Sequence, residues 1–265
     1  MTGGDVVAVA VLAHATSQQR LAGALLDAAA AAGMSLDLRT MSELATETGI
    51  RQEPGRPPSV DPDRPMIWLA VGDHAADDPD ERFAQAESYA AARSIAILTR
   101  SPVLNRPTSF GSQGTLPMSA TAALRGLTPR LRDRVRTEHF TSHAAPVDGE
   151  EQEVLDYATG RRSRAYHDGA GPFRSRPAAG RTAWITVAGS RTFGPDVADL
   201  HDASRQVAAS FGLGLAHVWW ACPPDTDATV SRVDAWAWDA ALGARVDDVA
   251  RSLVAWCADP AEARS

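Results

Sequence analysis

Three short segments in the C-terminal third set ionisable and indole side chains at alternating positions. Along residues 230–238 a period of two puts Arg232, Asp234, Trp236 and Trp238 on one face, with Val233, Ala235 and Ala237 on the other. Along 215–221, His217 and Trp219 share a face opposite Ala216, Val218 and Trp220; along 183–188, Trp184 and Thr186 stand opposite Ile185 and Val187. Side by side, such strands would give one apolar core face and a second, aromatic-lined face with a few orienting polar groups. On that face His217 and Asp234 would supply acid/base chemistry and Arg232 would orient an anion. Trp184, Thr186, Trp219, Trp236 and Trp238 would line the ligand. Six of the seven tryptophans lie from position 184 onward, where this reading needs them. The competing reading has Trp184 and Trp219 merely filling interior space, with Arg232 paired to Asp234 on a solvated rim.

Other constellations carry less. His139 and His143 stand at i, i+4, the helical spacing of a metal-binding imidazole pair, yet no glutamate lies between them and no third ligand is near, so they read as exposed histidines near a helix end. His167 and Asp168 could form an acid/base pair, but adjacent side chains rarely point the same way. Ser101, Ser109 and Ser112 lack a GxSxG elbow, and Cys222, before two prolines, reads as a packed thiol. No metal and no cofactor is expected.

Composition excludes whole classes of chemistry. The 26 basic residues are all arginine, so no lysine is present for a Schiff base, a P-loop or a general base. The net charge of −7, with arginines scattered along the chain, argues against general nucleic-acid binding; Arg161, Arg162 and Arg164 make only a local basic spot. Two distant cysteines fit a reduced, cytoplasmic compartment, and neither a signal peptide nor a membrane span is expected.

The elements that must position these residues alternate. Residues 6–12 read as a strand and the Ala/Leu-rich stretch after Thr16 and Ser17 as a helix ending at Gly33. A brief alternation at 35–38, a long loop at 51–65, a strand at 66–71, a helix at 78–93 and a strand at 94–98 follow. This order implies a small parallel sheet. Residues 119–127 and 150–157 read as helical, and 161–181 as aperiodic. Beyond them come a strand at 183–188, a turn at Gly189 and Ser190, a hairpin return at 191–193, a helix at 199–211 stopped by Gly212, strands at 215–221 and 230–238, and a closing helix at 246–256.

The words VLNRP at 103–107, WITVAGSRTFG at 184–194, SRQVAASFGLGLAHVWWA at 204–221 and VSRVDAWAWD at 230–239 occur in an order that resembles the ATP-grasp ligases, in particular the peptide-modifying group of natural-product pathways. The resemblance implies an ATP-grasp-like α/β (α+β) fold, with a Rossmann-like N-terminal subdomain over 1–98 and a reduced ATP-grasp-like part over 99–265. It also implies departures. The family's magnesium ligands, oxygen donors as a hard cation requires, match Trp219, Arg232 and Asp234, and its phosphate-binding arginine matches Trp184. Its nucleotide-clamping lysines have no counterpart, and the stretch from about 131 to 181 is short for a nucleotide lid and lacks a glycine-rich cover loop.

Two functions are therefore expected as alternatives. One is a catalytically degenerate accessory protein of bacterial peptide natural-product biosynthesis that does not use Mg-ATP and binds a peptide, a small biosynthetic intermediate or a partner enzyme. In that case Trp184 and Trp219 plug the space vacated by the nucleotide. The other is an ATP-independent cyclase, isomerase or hydrolase using His217, Asp234 and Arg232.

Overall fold

The computed structural model describes residues 7–12, 18–69, 78–107, 115–116, 139–141, 152–155, 162–165, 173–175, 181–197, 199–222, 224, 228–234 and 242–259. The apolar run of β1 (Val7–Leu12) is covered on both faces, as a central parallel strand must be. Ala8 and Ala10 turn toward α1 (Gln19–Ala31), while Val9 and Val11 turn toward the opposite layer. The N-cap of α1 is Gln18, which makes no side-chain cap hydrogen bond, and Gly33 at φ +67° turns the chain out of the helix. β2 (Ser35–Thr40) runs parallel to β1, and Thr40 with Glu43 forms the capping box that starts α2 (Met41–Glu47).

A hairpin arm follows, β3 (Gly49–Arg51) against β4 (Ser59–Asp61), so the expected loop at 51–65 begins at the end of one strand and contains its partner. β5 (Met66–Leu69), α3 (Pro79–Leu98) and β6 (Val103–Leu104) complete a parallel sheet in the order β2-β1-β5-β6. The strand expected at 94–98 is instead the end of α3. Ala92, Ile95 and Ala96 are buried at helical spacing, an outcome that a run of four apolar residues alone does not distinguish from a strand.

Next along the chain are β7 (Thr115–Leu116), β8 (His139–Thr141), β9 (Gln152–Leu155), β10 (Arg162–Ala165) and β11 (Phe173–Ser175). The last four form an antiparallel sheet in the order β10-β9-β11-β8. The helix expected at 150–157 is thus a strand, and the stretch 161–181 holds two. Strands of three or four residues are too short to show a period. The helix expected at 119–127 lies outside the described residues.

β12 (Arg181–Ala188), β13 (Arg191–Phe193), α4 (Leu200–Ser210), β14 (Leu215–Cys222) and β15 (Thr229–Asp234) follow, and the strands join β7 in a second antiparallel sheet ordered β13-β12-β14-β15-β7. Its apolar face, with Ile185, Val187, Val218, Trp220, Val230 and Val233, packs under Leu200, Ala203 and Val207 of α4. The buried Trp220 indole N–H donates to Ser204 Oγ at 2.9 Å, so this large side chain is buried without an unpaired donor. α5 (Val246–Ala258) closes the chain against α1, and its Ser252 hydroxyl donates to the Ala188 carbonyl at 2.6 Å.

The VLNRP word makes the joint between the two sheets. Asn105 takes φ 57°, a left-handed conformation that asparagine tolerates better than most residues. Its Oδ1 accepts from the Gly214 and Leu215 N–H groups, both at 2.9 Å, and its Nδ2 donates to the Leu215 carbonyl at 2.7 Å. A Cβ on Gly214 would stand 3.1 Å from Leu104, so the close approach favours glycine there. The neighbouring Arg106 donates to the carbonyls of Ala96, Ile97, Thr99 and Ser101 at 2.7–3.1 Å, satisfying the open C-terminal end of α3.

Asn105→Ala is expected to destabilise the fold by about 2–4 kcal/mol in urea melts, because it strands two N–H groups and a carbonyl near the core. Asn105→Gly, which keeps the backbone conformation, should fall by a similar amount; retained stability would show that backbone conformation rather than hydrogen bonding matters there.

Candidate functional site

The face opposite α4 on the antiparallel sheet is built by register. Trp184 stands opposite Trp219, Thr186 opposite His217, His217 opposite Asp234, and Trp219 opposite Arg232. The alternation expected for β12, β14 and the end of β15 therefore brings five of the anticipated residues, Trp184, Thr186, His217, Trp219 and Asp234, onto one patch, with Arg232 adjacent in the backbone pairing. Pairing then jumps from Trp219 with Arg232 to Trp220 with Val230, leaving Ser231 as an extra residue. This bulge lets Val230 and Val233 both reach the apolar core despite their odd spacing. Trp236 and Trp238 lie outside the described residues.

The polar groups of this face bond to one another. Thr186 Oγ1 and His217 Nδ1 are 2.9 Å apart, and the Trp219 indole N–H donates to Asp234 Oδ2 at 2.7 Å. The Trp184 and Trp219 rings pack with centroids 5.1 Å apart at 35°. Thr186, His217 and Asp234 are only 2%, 1% and 4% exposed, while the two indoles are half-buried. The Trp184 Nε1 atom is buried with no acceptor among the described residues within hydrogen-bonding distance.

A magnesium nucleotide fits these residues poorly. The position where the resemblance implies an oxygen ligand carries the Trp219 indole, Asp234 already accepts from that indole, and among the described residues no group of three His, Cys, Asp or Glu side chains could hold a metal ion. The packed indole pair occupies the face itself.

The remaining candidates are dispersed. His139 lies on strand β8, so the helical spacing to His143 does not apply; His143 lies outside the described residues, as do His167, Asp168, Ser109 and Ser112. Ser101 gives its N–H to Asp63 and its carbonyl to Arg106, a turn-fixing role. Cys222 is partly buried at the end of β14; Cys257, inside α5, has its thiol pushed up to about 12 by burial. Sequence reasoning missed a ladder of charges around β2, in which Arg64 binds Asp37 at 3.0 Å and Arg39 binds Glu47 at 2.6 Å. Its members come from a strand, a helix and a loop, so no spacing announces them.

No protein-family model and no curated protein matches the chain. Solved structures do. The ATP-grasp ligase PsnB, complexed with a phosphomimetic variant of its minimal precursor, Mg and ADP, superposes with a TM-score of 0.63 at 13% identity, covering 96% of this chain and 99% of that one. The macrocyclase MdnC bound with precursor peptide MdnA, from Microcystis aeruginosa MRC, gives 0.62 at 12% identity over 96% and 99%. A RiPP-associated ATP-grasp ligase of Chryseobacterium gregarium, in complex with ADP and a leader and core peptide, gives 0.55 at 8% identity over 96% of both chains. The fold is thus ATP-grasp-like, of mixed α/β class, as the motif order implied.

Trp219→Phe should destabilise by about 1–3 kcal/mol, since it removes a donor from a buried carboxylate, whereas Trp184→Phe should be neutral or stabilising, since it removes a buried donor that lacks an acceptor. Urea melts with unchanged m-values would check the opposite signs. At pH 8 the native protein should take up at most one iodoacetamide label, at Cys222, because the Cys257 thiolate is scarce until the pH approaches its raised value. Mass spectrometry showing two labels on folded protein would contradict this.

Proposed function

We propose that this ATP-grasp-like chain is a catalytically degenerate accessory protein of peptide natural-product biosynthesis, one that binds a precursor peptide or a partner biosynthetic enzyme and does not use Mg-ATP. The observation that carries the reading is the sheet face where the resemblance implies metal ligands, now closed by the Trp184 and Trp219 rings and the bond from Trp219 to Asp234. A chain without lysine adds support, since a nucleotide's phosphates lose their usual point-charge partners. The peptide partner is taken from the neighbours, several of which hold precursor peptides.

One observation favours the enzymatic alternative. His217 and Asp234 lie directly opposite each other in register, with a hydroxyl on the imidazole, which is an arrangement that could move a proton once a ligand opens the face. Under that reading His217→Ala and Arg232→Ala abolish turnover of a candidate peptide while the fold persists. Under the accessory reading no turnover is found and peptide binding survives both changes.

Thermal melts test the primary proposal. A ligand at a hundredfold excess over its Kd stabilises by about 2.7 kcal/mol. Mg-ATP is expected to leave Tm unchanged, and a candidate precursor peptide encoded beside the gene is expected to raise it. A rise with Mg-ATP that EDTA removes would overturn the degenerate reading.

A further inference from the structure

On the side of the parallel sheet facing α2 and α3, a cavity of about 130 Å³ opens between β2, α2, α3 and the chain entering β5. It is remote in sequence from the tryptophan face, and neither the neighbours nor the proposed function assigns it. Its floor is apolar, formed by Val9, Leu44, Met66 and Ile95, all buried. Asp37, Arg39, Glu47 and Arg64 form its mouth. An apolar cavity of about 150 Å³ holds one benzene, so this one accommodates a single side chain of leucine or methionine size and no nucleotide.

The mouth is polar in a specific way. Signs alternate along Glu47, Arg39, Asp37 and Arg64, with N···O separations of 2.6, 3.7 and 3.0 Å. Each group engages its neighbour through one atom and leaves another. Glu47 uses Oε2 and Asp37 uses Oδ2, so Oε1 and Oδ1 remain as acceptors. Arg39 uses Nε and Nη1, and its Nη2 lies 3.7 Å from Asp37, beyond hydrogen-bonding distance. Arg64 uses Nη1 alone, so Nε and Nη2 remain. Asp37, Arg39 and Arg64 are about one-third exposed and Glu47 about one-half, which keeps these atoms within reach of solvent.

Two carboxylates and two guanidiniums give a mouth of no net charge. A purely anionic or cationic ligand is attracted by half of the groups and repelled by the other half, whereas a dipolar ligand can meet both. We propose that this cavity binds a free α-amino acid with an unbranched or γ-branched apolar side chain, as the zwitterion. The side chain fills the floor, the ammonium donates to the remaining Glu47 and Asp37 oxygens, and the carboxylate accepts from the remaining Arg39 and Arg64 donors. Bidentate guanidinium geometry suits a carboxylate.

The test is calorimetric titration of the full chain with L-leucine and L-methionine, beside three controls. Glycine lacks the side chain, N-acetyl-L-leucine lacks the ammonium and L-leucinamide lacks the carboxylate. Leucine or methionine should bind with a Kd of about 1 mM or tighter, within reach of so small a ligand, and each control should bind at least tenfold more weakly. Glu47→Gln and Arg64→Gln, checked for unchanged circular dichroism, should each weaken leucine binding at least tenfold. The proposal is overturned if the unsubstituted protein binds neither amino acid, if the controls bind as well as leucine, or if the folded variants do. The controls on unsubstituted protein decide the matter even where a variant misfolds.

Discussion

The start of β14, and with it the antiparallel sheet that carries the tryptophan face, is set by one carboxamide. Asn105 follows β6 and, in a left-handed conformation, uses both oxygen lone pairs and an amide hydrogen on the backbone of Gly214 and Leu215, where the strand that carries His217 and Trp219 begins. Around it, Gly189 donates to the Gly214 carbonyl at 2.7 Å and Ser252 donates to the Ala188 carbonyl. Strand, hairpin turn and closing helix therefore meet at one polar knot set against an apolar cluster that includes Leu104, Ala188 and Leu215. Buried backbone groups left open cost about 1–3 kcal/mol each, so the knot fixes where β14 starts, and with it the phase of every side chain along it.

That phase decides the character of the tryptophan face. With Leu215 buried at the joint, alternation sends Val218 and Trp220 under α4 and His217 and Trp219 to the other side. A register shifted by one residue would bury an imidazole beneath α4 and set the valine among polar groups on the other face. Closure of the opposite face follows from pairing, since Trp184 must lie across from Trp219 once β12 and β14 are antiparallel. The two indoles pack against each other on this face, and the indole N–H of Trp219 bonds Asp234.

How much of this was legible follows from period and length. Strands with five or more alternating residues, such as 183–188 and 215–221, show their faces in sequence, and so most of the candidate patch could be read. The apolar stretch from Ile95 to Leu98 could not, because a short apolar run at the end of a helix looks like a strand until the partners are known. The bulge at Ser231 leaves no mark either; it is visible only as two valines three apart that share a core. The order of VLNRP and later words carried the fold, yet the reason for Asn105 lies 110 residues downstream, beyond any local pattern. The charges around β2 were invisible for the same reason: Asp37 and Arg64 are 27 residues apart and meet only because β1, β2 and β5 are neighbours.

The two polar regions of the molecule differ in the hydrogen-bonding capacity they leave over. On the tryptophan face, the hydroxyl is bonded to the imidazole and the carboxylate to an indole N–H, all but the indole deeply buried, so a ligand must first separate these pairs. Around β2, the ion pairs are partly exposed and individually weak, worth at most about 1 kcal/mol each, and each leaves a donor or acceptor that the ladder itself does not use. The first arrangement adds rigidity to a sheet and resists new partners. The second can exchange water for a ligand without dismantling the fold, because the apolar floor stays packed whichever polar atom occupies the mouth.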